Sequence, residues 1–176
     1  SIMFNSIRAR LTAWYVFVLA ITLILFSAFL YYFLSQRLYE SIDNSLAVSA
    51  NVMAKTALLK YSESPAPGLE RFLEGFAGLE NMNKFYRVYD ESGSVGTRSK
   101  NIENSNFPLT QNAYSSALKG VTTFETFYID ENYPIRVITM PVMRNKLMIN
   151  LVQVGTSLEG VQETLKSLRI FLLASV

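Results

Sequence analysis

Residues 11–36 carry no charged side chain, and the stretch LTAWYVFVLAITLILFSAFLYYFL within them is almost wholly apolar. As a helix rising about 1.5 Å per residue, about 20 such residues cross a hydrocarbon core of about 30 Å. Buried helices of soluble domains usually hold shorter apolar runs, about 10–14 residues, so this one reads as a transmembrane helix. A cleaved signal peptide fits less well, because its apolar region is about 7–15 residues long and ends at small residues. This run instead passes through Phe29, Tyr31, Tyr32 and Phe33. Trp14 and Tyr15 stand near one end and Tyr31 and Tyr32 near the other, where amphipathic rings gather at the two membrane surfaces. Arg8 and Arg10 precede the span without an acidic neighbour, whereas Arg37, Glu40 and Asp43 follow it as a mixed set. The positive-inside rule therefore assigns residues 1–10 to the cytoplasm and residues 37–167 to the outside. Ser1 and Ile2 read as an addition ahead of a natural start at Met3.

Composition narrows the chemistry. The 176 residues contain no cysteine and no histidine. Disulfides, thiolate metal sites, a thiol nucleophile, Ser-His-Asp hydrolysis and a phosphohistidine acceptor are all excluded within this stretch. A net charge of +2 is too weak for a nucleic-acid surface. The mean hydropathy of +0.21 averages a membrane helix over an otherwise ordinary domain.

After the span, residues 37–63 hold no Gly or Pro and keep Leu38, Ile42, Leu46, Val52 or Met53, and Leu59 near one stripe. The expected structure continues the membrane helix to about Lys60 as one rod, roughly 75 Å long at about 1.5 Å per residue. That stripe, with Leu38, Ile42, Leu46 and Met53 as its signalling positions, packs either against the domain's own sheet or against a second copy. Ser64-Pro65-Ala66-Pro67-Gly68 is a break. A short amphipathic helix follows at residues 69–79. FYRVYD and VGTRS read as a hairpin around Glu91-Ser92-Gly93-Ser94, and residues 104–107 as a loop. Thr110 caps a helix running through Lys119, with Gly120 just past its end. VTTFETFYID, PIRVITMPV and LMINLVQVG make three more strands, turning at Glu131-Asn132 and Arg144-Asn145-Lys146. Pro141 inside the fourth strand requires an edge or a bulge. Thr156-Ser157-Leu158-Glu159 reads as a capping box for a final helix at residues 157–169.

Antiparallel strands with helices at one side and both ends predict an α+β outside domain over residues 64–156, with about five strands. Residues 170–176 turn apolar after Arg169. They are too few to cross a bilayer and read as the start of a second span, the alternative being an amphipathic helix end packing on the domain.

No Gly-rich phosphate loop, HExxH or GxSxG motif occurs. The acid pairs Asp90-Glu91 and Asp130-Glu131 fall at strand ends, where turn chemistry accounts for them. No catalytic residue is assigned, and the outside segment reads as a binding module. One candidate ligand set is Arg87, Tyr89, Arg98, Tyr114, Tyr128 and Arg136, since Arg offers a planar fork to carboxylate or phosphate and Tyr a flat polar surface. Alternation puts Arg87 and Tyr89 opposite Tyr86 and Val88. The alternative is a solvated sheet face whose arginines pair with Asp90 or Glu125. Met140, Met143 and Met148, with Met82, suit a soft metal such as Cu(I) or Ag(I), or simply fill the core. Met140 and Met143 lie three apart in a strand and so point to opposite faces.

The basic amino terminus with its span, SIRARLTAWYVFVLAITLILFSAFLYYFL, and then RLYESIDNSL, resembles the start of membrane sensor histidine kinases of bacterial two-component systems. FYRVYDESGSVGTRS, YPIRVITMPV and LVQVGTSLEGVQETLKSLRIFLL are similar to the extracytoplasmic domain of that group, most closely the heavy-metal sensor subgroup. The resemblance implies a PAS-like (PDC or Cache-like) sensing domain, a homodimer in the bacterial inner (cell) membrane, and an outside region that is periplasmic or extracellular. It also implies an ATP-dependent histidine kinase beyond this stretch, acting on a response regulator. ATP and Mg are expected only there, and no cofactor is expected within residues 1–176. Without histidine, a metal site would rest on methionines and carboxylates, so no metal ligand is assigned. The expected function is to receive an outside stimulus, from an unidentified ligand, and pass it through paired helices. The other classes considered are the sensing region of a chemoreceptor and a membrane-anchored docking domain.

Overall fold

The structure, a computed structural model, describes residues 7–62, 84–98, 107–129, 131 and 133–175. Its elements are α1 (Ile7–Ser62), β1 (Lys84–Asp90), β2 (Val95–Arg98), α2 (Gln111–Leu118), β3 (Thr123–Tyr128), β4 (Pro134–Arg144), β5 (Leu147–Ser157) and α3 (Glu159–Ala174). The break at residues 64–68, the helix expected at 69–79, Met82 and most of the loop expected at 104–107 lie outside the described residues. The chain divides into two compact units, Ser1–Tyr39 with Val161–Val176, and Glu40–Gly160.

Helix α1 is continuous because none of its 56 residues is Gly or Pro. In the first unit its apolar side chains are exposed around the whole circumference, Trp14, Phe17, Leu25 and Phe29 among them. The helix is long and apolar enough to cross a membrane. Thr12 and Thr22 donate their hydroxyls to the carbonyls of Arg8 and Val18 at 2.9 Å, so these hydroxyls need no partner from lipid. The Arg37 guanidinium lies 5.2 Å from the Phe33 ring centre. Within the same unit, Ser27, Ala28 and Tyr31 of α1 line a groove together with Arg169, Leu172 and Leu173 of α3.

The second unit is built on a five-stranded antiparallel sheet, ordered β2-β1-β5-β4-β3. The β4–β5 turn uses two residues, Asn145 at φ 51° and Lys146 at φ 66°, the left-handed pair that a tight hairpin demands. The β1–β2 turn is held by Asp90, whose Oδ1 accepts from the backbone N–H groups of Ser92 and Ser94, both at 2.9 Å, and from the Ser92 hydroxyl at 2.6 Å. These bonds, the Ser92 hydroxyl first, hold the Asp90 carboxyl below the usual range. Pro141 is accommodated in both expected ways at once. β3 pairs with β4 only up to Thr139, so β4 has a free edge at Pro141, and the β4–β5 register shifts one residue later.

Two sequence expectations need correction here. Helices cover both faces of the sheet, not one side and the ends. On one face Leu46, Ala50 and Met53 of α1 pack with Tyr86, Ile138, Val142, Val152 and Val154. On the other lie Phe107, α2 and the cluster of Phe85, Ile135 and Val137, beside that of Tyr89, Ala117, Met148 and Leu151. Each buried side chain of this kind is worth about 1.5–3 kcal/mol of transfer free energy. Gly155 leaves room for Phe85, whose ring a Cβ at position 155 would overlap. The capping box is also displaced. Thr156 stays in β5, opposite Lys84, and the hydroxyl of Ser157 accepts from the Glu159 N–H at 3.2 Å. The helix therefore begins at Glu159 rather than at 157. Thr110 does cap α2, accepting from the Ala113 N–H at 3.0 Å, and Gly120 at φ 78° follows its end.

Candidate functional site

On the α1 face, polar contacts tie the helix to the sheet at one end of their interface. Arg136 of β4 grips Asp43 with two parallel bonds, Nε to Oδ1 and Nη2 to Oδ2, both 2.8 Å. Its Nη1 donates to Thr126 Oγ1 at 3.0 Å, and its guanidinium lies 5.6 Å from the Phe124 ring centre. The pair is about a quarter exposed, with side chains 22% and 26% accessible, so screening keeps its worth to about 1 kcal/mol despite ideal fork geometry. Beside it, Lys84 of β1 donates to the hydroxyls of Ser45 (2.7 Å) and Ser49 (2.9 Å). The Ser49 hydroxyl in turn donates a hydrogen bond to the Ser45 carbonyl at 3.0 Å. Burial lowers the Lys84 pKa. The serines that interrupt the apolar stripe of α1 are thus the seat of this lysine.

On the α2 face a polar row crosses the sheet. In register, Arg98 stands opposite Arg87, Arg87 opposite Gln153, Gln153 opposite Thr139, and Thr139 opposite Thr123. Gln153 is fully buried and bonded at both ends of its amide: its Oε1 accepts from the Tyr89 hydroxyl at 2.9 Å and its Nε2 donates to Thr139 at 3.1 Å. Thr123 Oγ1 is buried with no hydrogen-bond partner among the described residues. Arg87 donates to the Phe107 carbonyl at 2.7 Å and lies 4.3 Å from the centre of its ring. Arg98, in edge strand β2, is exposed.

The six residues expected as one ligand set are therefore divided. Arg87, Tyr89 and Arg98 share the α2 face, and Tyr114 joins them from α2, where its hydroxyl donates to the Glu91 carbonyl at 3.3 Å. Arg136 belongs to the opposite face. Tyr128 is exposed at the end of β3. Alternation did separate Arg87 and Tyr89 from Tyr86 and Val88. The pairing of arginines with Asp90 or Glu125 is not what forms, because Asp90 serves its turn, Glu125 accepts from the Thr110 hydroxyl at 2.8 Å, and Asp43 takes Arg136. The face carrying Tyr89 is not solvated, since Tyr89 is buried beneath α2 and Leu109.

Gln153, Thr139, Asp43 and Lys84 escaped the sequence reading. The available signal was a lone polar residue inside the apolar strand LVQVG. Of the methionines, Met140 packs on the α1 face, while Met143 and Met148 pair across strands in the α2-face core. Among the described residues no group of three or more acids is arranged to hold a metal. Of the proposed helix positions, Leu46 and Met53 are buried in the domain's own core, Ile42 packs against it, and Leu38 is half-buried. The arrangement is suited to binding and to mechanical coupling of α1 with the sheet.

A family model described as two-component sensor kinase N-terminal matches residues 19–168. No curated protein matches the chain.

Proposed function

The chain belongs to the two-component sensor kinase N-terminal family and is a sensing and signal-transducing region of a sensor histidine kinase; from that premise we propose how it transduces. The observation that carries the proposal is that one uninterrupted helix serves two roles. Its first part is apolar all round, and its second part is clamped to the sheet by Asp43–Arg136 and Ser45/Ser49–Lys84. A stimulus that shifts the sheet shifts α1 through these clamps, and the motion passes along the helix to a cytoplasmic kinase and its response regulator. The domain is read as a PAS-like (PDC or Cache-like) core outside the bacterial cell membrane, with the amino terminus in the cytoplasm. A ligand is received on the α2 face, near Arg87, Arg98 and Tyr114.

The homodimer is formed by the side of α1 turned away from the sheet, where Val48 and Val52 are exposed, because Leu46 and Met53 are occupied. The absence of native cysteine makes this simple to check. Val48→Cys or Val52→Cys should give disulfide-linked dimers in membranes, whereas Leu46→Cys should not.

The decisive test uses the intact sensor kinase in membrane vesicles. Asp43→Ala and Arg136→Ala should each move basal autophosphorylation in the same direction, with no further change in the double variant. Arg144→Ala, exposed at the far end of β4, should leave it unchanged. Wild-type autophosphorylation in both clamp variants would sink the transduction reading.

A further inference from the structure

We propose that the tip of the β3–β4 hairpin is a membrane-surface contact, with Tyr128, Ile129 and Tyr133 resting in the headgroup region of the bilayer that α1 crosses. The proposal rests on the reading of α1 as a membrane span. The three large side chains are clustered within six residues and are all exposed, at 65%, 38% and 50%. The two sides of the hairpin are joined next to the tip by the Ile129 N–H, which donates to the Tyr133 carbonyl at 3.1 Å.

Its location within the second unit supplies the partner. The tip sits at the end of the sheet where the chain leaves for both apolar helices. Tyr128 is paired with Pro134, and the Pro134 carbonyl accepts from the Leu158 N–H at 2.9 Å, one residue before α3 starts. Arg136, two residues past Pro134, holds Asp43 of α1. From Arg37, the first charge after the apolar run, to Asp43 is six residues. Even fully extended, six residues reach only about 20 Å, and as helix about 9 Å. This end of the sheet is therefore tethered within reach of the lipid surface.

The opposite end, at the β1–β2 and β4–β5 turns, exposes Glu91, Ser92, Asn145 and Lys146 beside the aliphatic Val95 and Leu147, and among the described residues no exposed aromatic ring. Tyrosine is the side chain suited to a layer that is apolar on one side and wet on the other. Asp130 and Glu131 between the tyrosines make the tip acidic, so it fits zwitterionic headgroups, whose amines face the carboxylates, and is repelled by an anionic surface.

The cysteine-free chain allows single nitroxide labels at chosen positions in phosphatidylcholine proteoliposomes. A label at Ile129→Cys should show an oxygen-to-nickel-chelate accessibility ratio several-fold above one at Leu147→Cys, which is 71% exposed at the far end of the sheet. Adding Tyr128→Ser and Tyr133→Ser to the Ile129 label should abolish that excess. A label at Leu25→Cys reports the span itself. Equal ratios at Ile129 and Leu147 with a lipid-like ratio at Leu25 would overturn this proposal alone. A water-like ratio at Leu25 would overturn the membrane reading with it. Protection of Ile129 from both reagents would mean that protein covers the tip, and no loss of the excess in the serine variant would mean that the tyrosines do not hold it there; either result overturns the proposal.

Discussion

The two parts of α1 share one backbone and differ in almost everything else. In the part within the first unit, most apolar side chains stay exposed, and the hydroxyls of Thr12 and Thr22 bond locally, back to the preceding turn. In the part within the second unit, one narrow stripe is buried to completion, Leu46 and Ala50 being fully inaccessible, and is flanked by charged and hydroxyl groups bonded across to the sheet. Apart from the strip that meets α3 within the same unit, the first pattern leaves its apolar surface uncovered by the described residues, and a lipid surrounding suits it. The second is satisfied by a protein surface of one shape. Hydrophobicity marks out the first part, and in the second the angular distribution of the apolar residues matters as well, because one stripe alone is buried.

The largest expected effect separates the two parts most sharply. Leu46→Ala should destabilise the sheet domain by about 2–5 kcal/mol, the cost of a cavity in a closed core. Leu25→Ala should leave the melting of that domain unchanged. Thermal unfolding followed by near-ultraviolet circular dichroism in lipid nanodiscs reads both, and equal shifts would erase the contrast. The clamp comes next. A double-mutant cycle of Asp43→Ala and Arg136→Ala should return a coupling of about 1 kcal/mol, because the pair is bidentate yet partly solvated. Additive effects would mean that the helix is held by apolar packing alone.

The smallest effect concerns Lys84. Its pKa is lowered in the folded protein, so the unfolded chain holds the proton to higher pH. Between the lowered value and the ordinary 10.5, the unfolded state binds more protons and stability rises with pH. Below that window the full desolvation penalty is present. The gain should be well under about 1 kcal/mol for a half-exposed group. It should vanish in Lys84→Met, as read from urea midpoints of the two proteins across the alkaline range.

Much of this was legible in the sequence where local rules govern. The charge-free run, the Thr110 cap with Gly120, the Asn145-Lys146 turn and the alternation around Arg87 all depend on neighbours a few residues away. Pro141 was legible as a constraint, though only the register showed that it is met by a short β3 and a shifted pairing together. What could not be read were contacts between distant segments. Nothing local in Asp43 says that it will meet Arg136, 93 residues on, or that Ser45 and Ser49 will hold Lys84. The ligand set was divided for the same reason: the pairing register of distant strands decides whether two arginines share a face, and register is a long-range property. The stripe on α1 was correctly periodic, but periodicity does not name the surface that covers it.

The join between β5 and α3 has a consequence for timing and fidelity. Strand β5 lies at the centre of the sheet, and after it only Leu158 intervenes before Glu159 begins the helix, with Leu158 itself pinned to Pro134. A longer linker would absorb small displacements as slack and average them away. A one-residue joint has almost no compliance. A shift of the middle strand therefore reaches Glu159 and Gly160, the start of the last helix, with no slack of loop to take it up, so the joint works as a stiff gauge rather than a damped one.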